Sequence, residues 1–229
     1  MASELGTVIV TGGSSGLGDA VAHAVAGAGG VPVVFDLDPP ANGFAAHQVD
    51  LADTRASEAA VHAVAREHGA IGGVVTAAGI DACGQLTDVD ADAWERVVAV
   101  NLLGTAAVVR AALPHLERSE GRVITVASTL GLKAVSDATA YCASKFGVVG
   151  FTRALAAETA GRVGVTLLIP GGMRTRFFDG RPEQYKPGAD ARLADPSEIA
   201  QAVVFALSRP AGVELRELVM AVDTEPSWP

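Results

Sequence analysis

The stretch "TGGSSGLG", Thr11 to Gly18, places four glycines within eight residues, directly after the apolar run "LGTVIV" at residues 5–10. Glycine loses more conformational entropy on folding than any other residue, so such a cluster needs a structural reason. The segment that follows, residues 17–29, has apolar residues at helical spacing. A strand, a glycine-rich turn and a helix in this order are typical of sites that hold a dinucleotide pyrophosphate at a helix N-terminus. The predicted contact residues of this turn are Gly12, Ser14, Ser15, Gly16, Leu17 and Gly18.

Strand-like and helix-like segments alternate along the rest of the chain. The strand-like segments are mostly unbroken apolar runs, which is typical of a parallel sheet covered on both faces. We therefore predict a single α/β domain over residues 1–229, a doubly wound, Rossmann-like fold with a mostly parallel sheet of about seven strands and helices on both faces. The predicted strands lie within residues 6–10, 31–36, 45–51, 72–79, 121–128, 163–172 and 217–222, and the predicted helices within residues 17–29, 54–67, 91–117, 138–160 and 196–208.

Four local features of the predicted fold concern the ends and the regularity of its elements. Thr54 is the candidate N-cap of the second helix, and Asp195 is the candidate N-cap of the last one, ahead of Pro196. Residues 91–117 are predicted to form one long helical region. Few residues separate the second and third strands, whereas parallel strands usually need a connection of about a dozen. The third strand is therefore predicted to be short and irregular.

Composition and charge exclude several classes of function. The net charge of −9 argues against nucleic acid as a partner, because phosphates call for a basic surface. The N-terminal sequence lacks the pattern of a signal peptide, and no uninterrupted apolar run reaches the ~18 residues of a membrane span. Two cysteines do not form a disulfide framework, so we expect a cytoplasmic protein. The five histidines lack metal-ligand spacing, and no metal is expected.

Asp36 ends the second predicted strand, eighteen residues after Gly18. An acidic side chain at this point accepts hydrogen bonds from the adenosine ribose and repels a 2′-phosphate. This predicts NAD as the cofactor rather than NADP. The alternative interpretation is an ordinary capping or surface aspartate.

The segment "YCASK", Tyr141 to Lys145, lies in a predicted helix, where positions i and i+4 share a face. An ammonium group within ~4–6 Å favours the ionised form of a phenol, so Lys145 is expected to lower the pKa of Tyr141. Ser128 ends the fifth strand, at the sheet edge where such folds bind ligands. An isolated surface pair is the alternative interpretation of Tyr141 and Lys145.

Together these motifs resemble the short-chain dehydrogenase/reductase family over nearly the whole chain. The further matches are Asp50 and Leu51 after the third strand, "WERVVAVNLLGT" with Asn101, and "PGGMRT" at residues 170–175. The family usually has Asn-Asn-Ala-Gly after the fourth strand, but residues 76–79 are Thr-Ala-Ala-Gly, so only backbone contacts carry over there. The resemblance implies Asn101, Ser128, Tyr141 and Lys145 as catalytic residues; Asp50, Leu51, Ala77, Ala78, Gly79, Tyr141, Lys145, Pro170, Gly171, Met173 and Thr175 at the cofactor; and Ser128, Tyr141 and Gly172 at the substrate.

The implied activity is that of an NAD(P)-dependent oxidoreductase that interconverts a secondary alcohol and a ketone, with Tyr141 as the acid and base. Reduction of a 3-oxoacyl or polyketide-type ketone and oxidation of a secondary alcohol, steroid or sugar both remain open. The alternative of another class is a catalytically idle, nucleotide-sensing binding protein on the same fold. The resemblance also implies a homodimer or homotetramer that pairs through the helices at residues 91–117 and 138–160.

Residues 174–192, here called the lid, correspond to the segment that lies over the substrate in this family. The lid carries five basic and three acidic side chains in a chain whose net charge is −9. A basic lid attracts an anionic substrate, such as a carrier-linked or coenzyme-A-linked ketone. The alternative is a solvated loop whose charges pair with one another.

Overall fold

A computed structural model describes residues 5–41 and 43–228 of the chain. These residues form seven strands and six α-helices. The strands are β1 (Thr7–Thr11), β2 (Val31–Asp36), β3 (Ala45–Gln48), β4 (Ile71–Thr76), β5 (Arg122–Val126), β6 (Gly164–Pro170) and β7 (Glu217–Met220). The helices are α1 (Gly16–Gly27), α2 (Thr54–His68), α3 (Ala91–Val98), α4 (Thr105–Ser119), α5 (Thr139–Glu158) and α6 (Pro196–Leu207). Strands and helices alternate along the described residues, except that β3 follows β2 with no α-helix between them and α4 follows α3 with no strand between them.

All seven strands pair in parallel in the order β3-β2-β1-β4-β5-β6-β7, which confirms the predicted fold class. Successive side chains of β1 point to opposite faces of the sheet: Val8 and Val10 pack with α1 and α6, and Ile9 packs on the side of α2 and α4. Both faces are covered, which is why the strand is apolar at consecutive positions. The strand order reverses between β1 and β4, and this creates a crevice at their carboxyl ends.

The third strand is short, as predicted, but it is not irregular. Residues 45–48 pair with residues 33–36 of β2 in an unbroken register. The connection between the two strands contains no helix among its described residues. It needs none, because a four-residue strand requires the chain to return only about 13 Å along the sheet.

Two helix starts show how side-chain caps define the elements. Asp195 caps α6 as predicted, because its carboxylate accepts a hydrogen bond from Ser197 N at 2.9 Å. The prediction of Thr54 as the cap of α2 is wrong. Asp53 occupies the cap position in extended backbone, and its Oδ1 accepts hydrogen bonds from Arg55 N and Ala56 N at 3.0 and 2.9 Å.

The predicted long helical region is confirmed: residues 91–119 form one continuous helix, which contains a π-helical turn that was not predicted. A π-helical turn, Ala99–Gly104, separates α3 from α4. The whole region is long and apolar enough to cross a membrane by composition alone, but more than half of its apolar window is buried inside the protein. Val108 and Leu116 of α4 lie in the core beside α2 and β4, as in the core helix of a globular protein.

Candidate active site

A cleft of about 700 Å³ lies at the carboxyl ends of the strands, where the strand order reverses. Its size is that of a small-molecule or cofactor site. Nineteen of the predicted site residues line it: Gly12, Ser15, Gly16, Leu17, Gly18, Asp36, Asp50, Leu51, Ala77, Ala78, Gly79, Ser128, Tyr141, Lys145, Pro170, Gly171, Gly172, Met173 and Thr175. Two predicted residues, Ser14 and Asn101, do not line the cleft. Each forms a hydrogen bond with a residue that does: Ser14 with Asp36, and Asn101 with Ile80.

The glycine-rich turn folds tightly against itself at one end of the cleft. A side chain at Gly18 would overlap the carbonyl of Gly12, so only glycine permits this packing of helix on turn. Ser15 is the N-cap of α1, and among the described residues no side chain caps this helix. The first N–H groups of α1 therefore stay available to an anion, and the turn fits the pyrophosphate of a dinucleotide.

Asp36 is held at the cleft by the same turn. Its Oδ2 accepts a hydrogen bond from Ser14 N at 2.9 Å, and its Oδ1 accepts one from Leu37 N at 2.8 Å. The Ser14 hydroxyl donates to the carbonyl of Asp38 at 2.6 Å, so Ser14 supports the second strand's end instead of facing the cleft. The fixed carboxylate of Asp36 is placed to accept hydrogen bonds from a ribose.

Asp50 pairs with Arg96, which no sequence motif identifies as a site residue. Arg96 Nη2 lies 3.2 Å from both carboxylate oxygens of Asp50, and both residues line the cleft. Asp50 Oδ1 also accepts a hydrogen bond from Ala52 N at 3.0 Å. These contacts fix the loop that carries Leu51, the residue implied to contact the adenine. No local pattern marks Arg96, because 46 residues separate it from Asp50.

Tyr141 and Ser128 come together in the cleft, as the resemblance implies. Burial raises the pKa of the Tyr141 phenol to about 12, and a side-chain hydrogen bond with Ser128 opposes this rise. Lys145 Nζ lies 5.7 Å from the centroid of the Tyr141 ring. The expectation of a lowered Tyr141 pKa is therefore wrong for this structure: loss of hydration raises the pKa, and the groups that oppose the rise are Ser128 and Arg181 rather than Lys145.

Lys145 is buried, and burial lowers the pKa of its ammonium group to about 8. Its Nζ donates a hydrogen bond to the carbonyl of Val126 at 2.9 Å. Asn101 is buried on the π-helical turn, where its Nδ2 donates to the carbonyl of Ile80 and its Oδ1 accepts from Ile80 N, both at 2.9 Å. Asn101 thus anchors the loop after β4 beside Lys145, without facing the cleft.

The turn after β6 forms the opposite wall of the cleft. Thr175 Oγ1 accepts a hydrogen bond from Phe177 N at 3.3 Å and starts the first short turn of the lid. Glu225 and Ser227, close to the C-terminus, also line the cleft. Neither residue is predicted from the sequence, because nothing in the residues around them indicates that the chain returns to the site.

The lid is fastened to the body of the protein beside Tyr141. Arg181 Nη2 lies 2.7 Å from Asp81 Oδ2, and its guanidinium stacks over the rings of Phe177 and Phe178 at 4.7 Å. The Phe177 ring lies 5.6 Å from that of Tyr141. Two further lid cations are paired, Lys186 with Glu183 and Arg192 with Asp223. Three of the five basic side chains therefore have acidic partners.

Comparisons with known proteins agree with this arrangement. The family model described as short chain dehydrogenase matches residues 6–186. The chain belongs to the short-chain dehydrogenase/reductase family. Proteins of this family bind NAD(P), and the prediction of an oxidoreductase that acts on CH–OH groups is confirmed.

Two similar members of the short-chain dehydrogenase/reductase family are bacterial enzymes. The 2-(S)-hydroxypropyl-CoM dehydrogenase 3 of Xanthobacter autotrophicus is 34% identical over 88% of this chain and 89% of its own length. The D-threitol dehydrogenase of Mycolicibacterium smegmatis is 35% identical over 87% of this chain and 85% of its own. The ligand-free aldohexose dehydrogenase of Thermoplasma acidophilum has the same fold, with a TM-score of 0.87 at 24% identity over 96% of this chain and 95% of that one.

Proposed function

We propose that this chain interconverts a secondary alcohol and a ketone by hydride transfer, preferentially with NAD, and that Tyr141 is the general acid and base. The observation that carries the proposal is the position of the Tyr141 phenol. It lies in the cleft with a hydrogen bond to Ser128 and with the Lys145 ammonium 5.7 Å from its ring centroid. A phenol protonated at neutral pH is suited to give its proton to a carbonyl oxygen during reduction.

When bound, the nicotinamide supplies or accepts the hydride. The Ser128 hydroxyl donates a hydrogen bond to the substrate oxygen, where negative charge develops, and Tyr141 exchanges its proton with the same oxygen. Lys145, held by the Val126 carbonyl, carries positive charge below a pKa of about 8 and orients the cofactor beside Tyr141. The presence of Ser128, Tyr141 and Lys145 in one cleft favours this activity over an idle, nucleotide-sensing role.

We infer that the substrate is uncharged at its site in the cleft. Arg181 of the lid is neutralised by Asp81, and the cleft contains the carboxylate of Glu225 as well as the guanidinium of Arg176. This arrangement argues against the alternative of an anionic, phosphate-bearing ketone.

We further propose that residues 1–229 form one domain that holds both cofactor and substrate, in a reducing cytoplasm. The support is that cofactor-side and substrate-side residues line a single cleft. Cys83 and Cys142 are both free thiols, as expected where disulfides do not form.

The experiment that tests the activity is a screen of the purified protein with NADH and a panel of ketones, and with NAD⁺ and the matching secondary alcohols. We expect turnover in both directions, followed at 340 nm as NADH is consumed or formed. A protein that binds NADH but turns over no member of either panel contradicts the proposal and supports the nucleotide-sensing alternative.

The cofactor preference rests on Asp36. We expect kcat/KM to be higher with NAD⁺ than with NADP⁺, because a 2′-phosphate would meet the fixed carboxylate of Asp36. The Asp36→Ala variant is expected to narrow this gap by about tenfold or more, since close like charges cost several kcal/mol. An equal or higher kcat/KM with NADP⁺ in the unmodified protein overturns the preference.

A further inference from the structure

The carboxylate of Glu225 lies in the cleft but belongs to none of the family motifs. It is carried by the C-terminal tail, residues 221–228, which follows β7. Glu225 Oε2 accepts a hydrogen bond from Gly172 N at 2.8 Å, on the turn after β6. Ser227, two residues further on, has its hydroxyl 2.6 Å from Thr129 Oγ1, next to Ser128. The tail therefore joins the two strand ends between which the predicted substrate residues lie.

The fit between Glu225 and this turn depends on glycine. A side chain at Gly171 would overlap Glu225 Oε2, so the Gly171–Gly172 pair leaves room for the carboxylate. Hydrogen bonds from Ser227 and Gly172 N lower the pKa of Glu225 in spite of its partial burial. Among the described residues, Glu225 forms no ion pair. The cleft thus contains a negative charge whose hydrogen-bond donors are all neutral.

The hydrogen-bond capacity of this carboxylate is not filled. An ionised carboxylate has about four acceptor sites and no donor. Oε1 accepts from Ser227 N at 3.1 Å and from the Ser227 hydroxyl at 2.6 Å, and Oε2 accepts only from Gly172 N. One acceptor site therefore remains on Oε2, the oxygen nearer the turn after β6. A hydrogen bond to a charged acceptor is about twice as strong as one between neutral groups.

We propose that Glu225 is a specificity-determining residue that accepts a hydrogen bond from a second hydroxyl group of the substrate and disfavours an anionic group at that place. The inference rests on the proposed alcohol and ketone chemistry and narrows it to diols and polyols. A substrate without the second hydroxyl leaves the open acceptor position of Glu225 Oε2 without a hydrogen-bond donor. A binding site built to hydrogen-bond a hydroxyl discriminates strongly against an analogue that lacks it.

The test compares 2,3-butanediol with 2-butanol, which differ by one hydroxyl, and adds 3-hydroxybutanoate as the anionic probe. We expect the unmodified protein to have a kcat/KM at least about tenfold higher for the diol. The Glu225→Gln variant is expected to lose most of this ratio and to gain activity with 3-hydroxybutanoate. Asp223→Asn is the matched control, because it removes a charge from the same tail at an exposed position paired with Arg192. It is expected to leave both ratios unchanged.

Two outcomes overturn the inference. One is a kcat/KM of the unmodified protein that is no higher for 2,3-butanediol than for 2-butanol, including the case in which it turns over neither. Turnover of other alcohols in that case would leave the proposed function intact. The other is an equal loss with both alcohols in Glu225→Gln, which would mean that Glu225 only supports the turn. Should this variant fail to fold, Glu225→Asp keeps the charge and shortens its reach. It is then expected to lose the diol preference and still disfavour 3-hydroxybutanoate, and retention of the diol preference overturns the inference.

Discussion

At the scale of single residues, burial shifts the two central groups of the cleft toward their neutral forms. Burial disfavours the charged form of a group. It therefore raises the pKa of Tyr141, whose ionised form is charged, to about 12, and lowers the pKa of Lys145, whose protonated form is charged, to about 8. Tyr141 therefore holds its proton at neutral pH. Burial thus keeps Tyr141 protonated as a proton donor, and burial of the Lys145 ammonium lowers the free energy of unfolding.

The Tyr141→Phe variant tests the role of the phenol. It removes the hydroxyl and keeps the ring that packs 5.6 Å from Phe177. We expect the rate to fall on the order of 10²–10⁴-fold, while NADH still binds with unchanged affinity by fluorescence titration. Tyr185→Phe, in the lid and outside the cleft lining, is the control and is expected to stay close to full activity. More than a tenth of the normal rate in Tyr141→Phe would exclude the phenol as the acid and base.

Replacement of Lys145 by methionine is expected to stabilise the protein at pH 7 while abolishing turnover. A shift of the pKa from 10.5 to about 8 corresponds to about 3 kcal/mol of unfavourable burial of the charged form. Loss of the hydrogen bond to the Val126 carbonyl offsets roughly 1 kcal/mol of this. We therefore expect Lys145→Met to raise the free energy of unfolding by about 2 kcal/mol, measured by urea denaturation.

The advantage of Lys145→Met should depend on pH in a defined direction. Between pH 8 and 10.5 the unfolded state holds the lysine proton and the folded state does not, so stability of the unmodified protein rises with pH across this window. The difference between variant and unmodified protein should shrink accordingly. Lys133→Met, at an exposed position, is the control and should show no such trend. A difference that is constant from pH 7 to 10.5 would contradict the lowered pKa.

At the scale of elements, the lid is held by one partly buried ion pair. The side chains of Arg181 and Asp81 are only 17% and 6% exposed, and Arg181 Nε is buried without a partner among the described residues. Removing one member of such a pair leaves an uncompensated charge, which is more costly than losing an exposed pair. The lid is thus a fastened segment with two short helical turns, although its glycines and prolines are typical of a mobile loop.

The Asp81→Asn variant is expected to release the lid. Limited proteolysis within residues 174–192 should become faster by about tenfold, because Arg181 loses its charged partner and the lid opens more often. Glu183→Gln is the matched control within the same lid, since Glu183 is 89% exposed in its pair with Lys186. Equal cleavage rates in Asp81→Asn and the unmodified protein would show that the aromatic contacts of Phe177 and Phe178 hold the lid alone.

At the scale of the whole molecule, part of the outer face of α5 remains apolar. On α5, Ala143, Phe146, Gly150 and Ala154 form an exposed stripe at helical spacing, and Leu103 on the π-helical turn is 51% exposed. A contiguous apolar surface of this kind is typical of an interface between subunits. The prediction of a homodimer or homotetramer therefore stands on this surface as well as on the family resemblance.

Light scattering measures the oligomeric state directly. We expect a mass of two or four times the 23.2 kDa of the chain at micromolar concentration. Phe146→Glu introduces a charge in the middle of the apolar stripe and should shift the mass toward the monomer. Phe205→Glu introduces the same charge on the exposed face of α6, away from the stripe on α5. If the interface includes the α5 stripe, Phe146→Glu should lower the mass more than Phe205→Glu does. A mass near 23.2 kDa for the unmodified protein contradicts the prediction.

The amino-acid sequence by itself determined the fold class and most of the cleft. Strands buried on both faces must be apolar at consecutive positions, so the local sequence of β1 and β5 predicts them as buried strands. A tight turn that approaches a phosphate requires glycine, so the local sequence of residues 11–18 predicts that turn. The same local logic places Asp36, Ser128 and Gly171 at strand ends, and the carboxyl ends of parallel strands meet at one edge of the sheet.

Tertiary structure alone decided the contacts between distant segments and the electrostatics that follow from them. Arg181 meets Asp81 across 100 residues, and Ser227 meets Thr129 across 98. The raised pKa of Tyr141 depends on how much water the surrounding atoms remove, and the contact between Asn101 of the π-helical turn and Ile80 joins segments 21 residues apart. Such properties arise from the summed packing of the whole chain, so no local pattern of residues contains them.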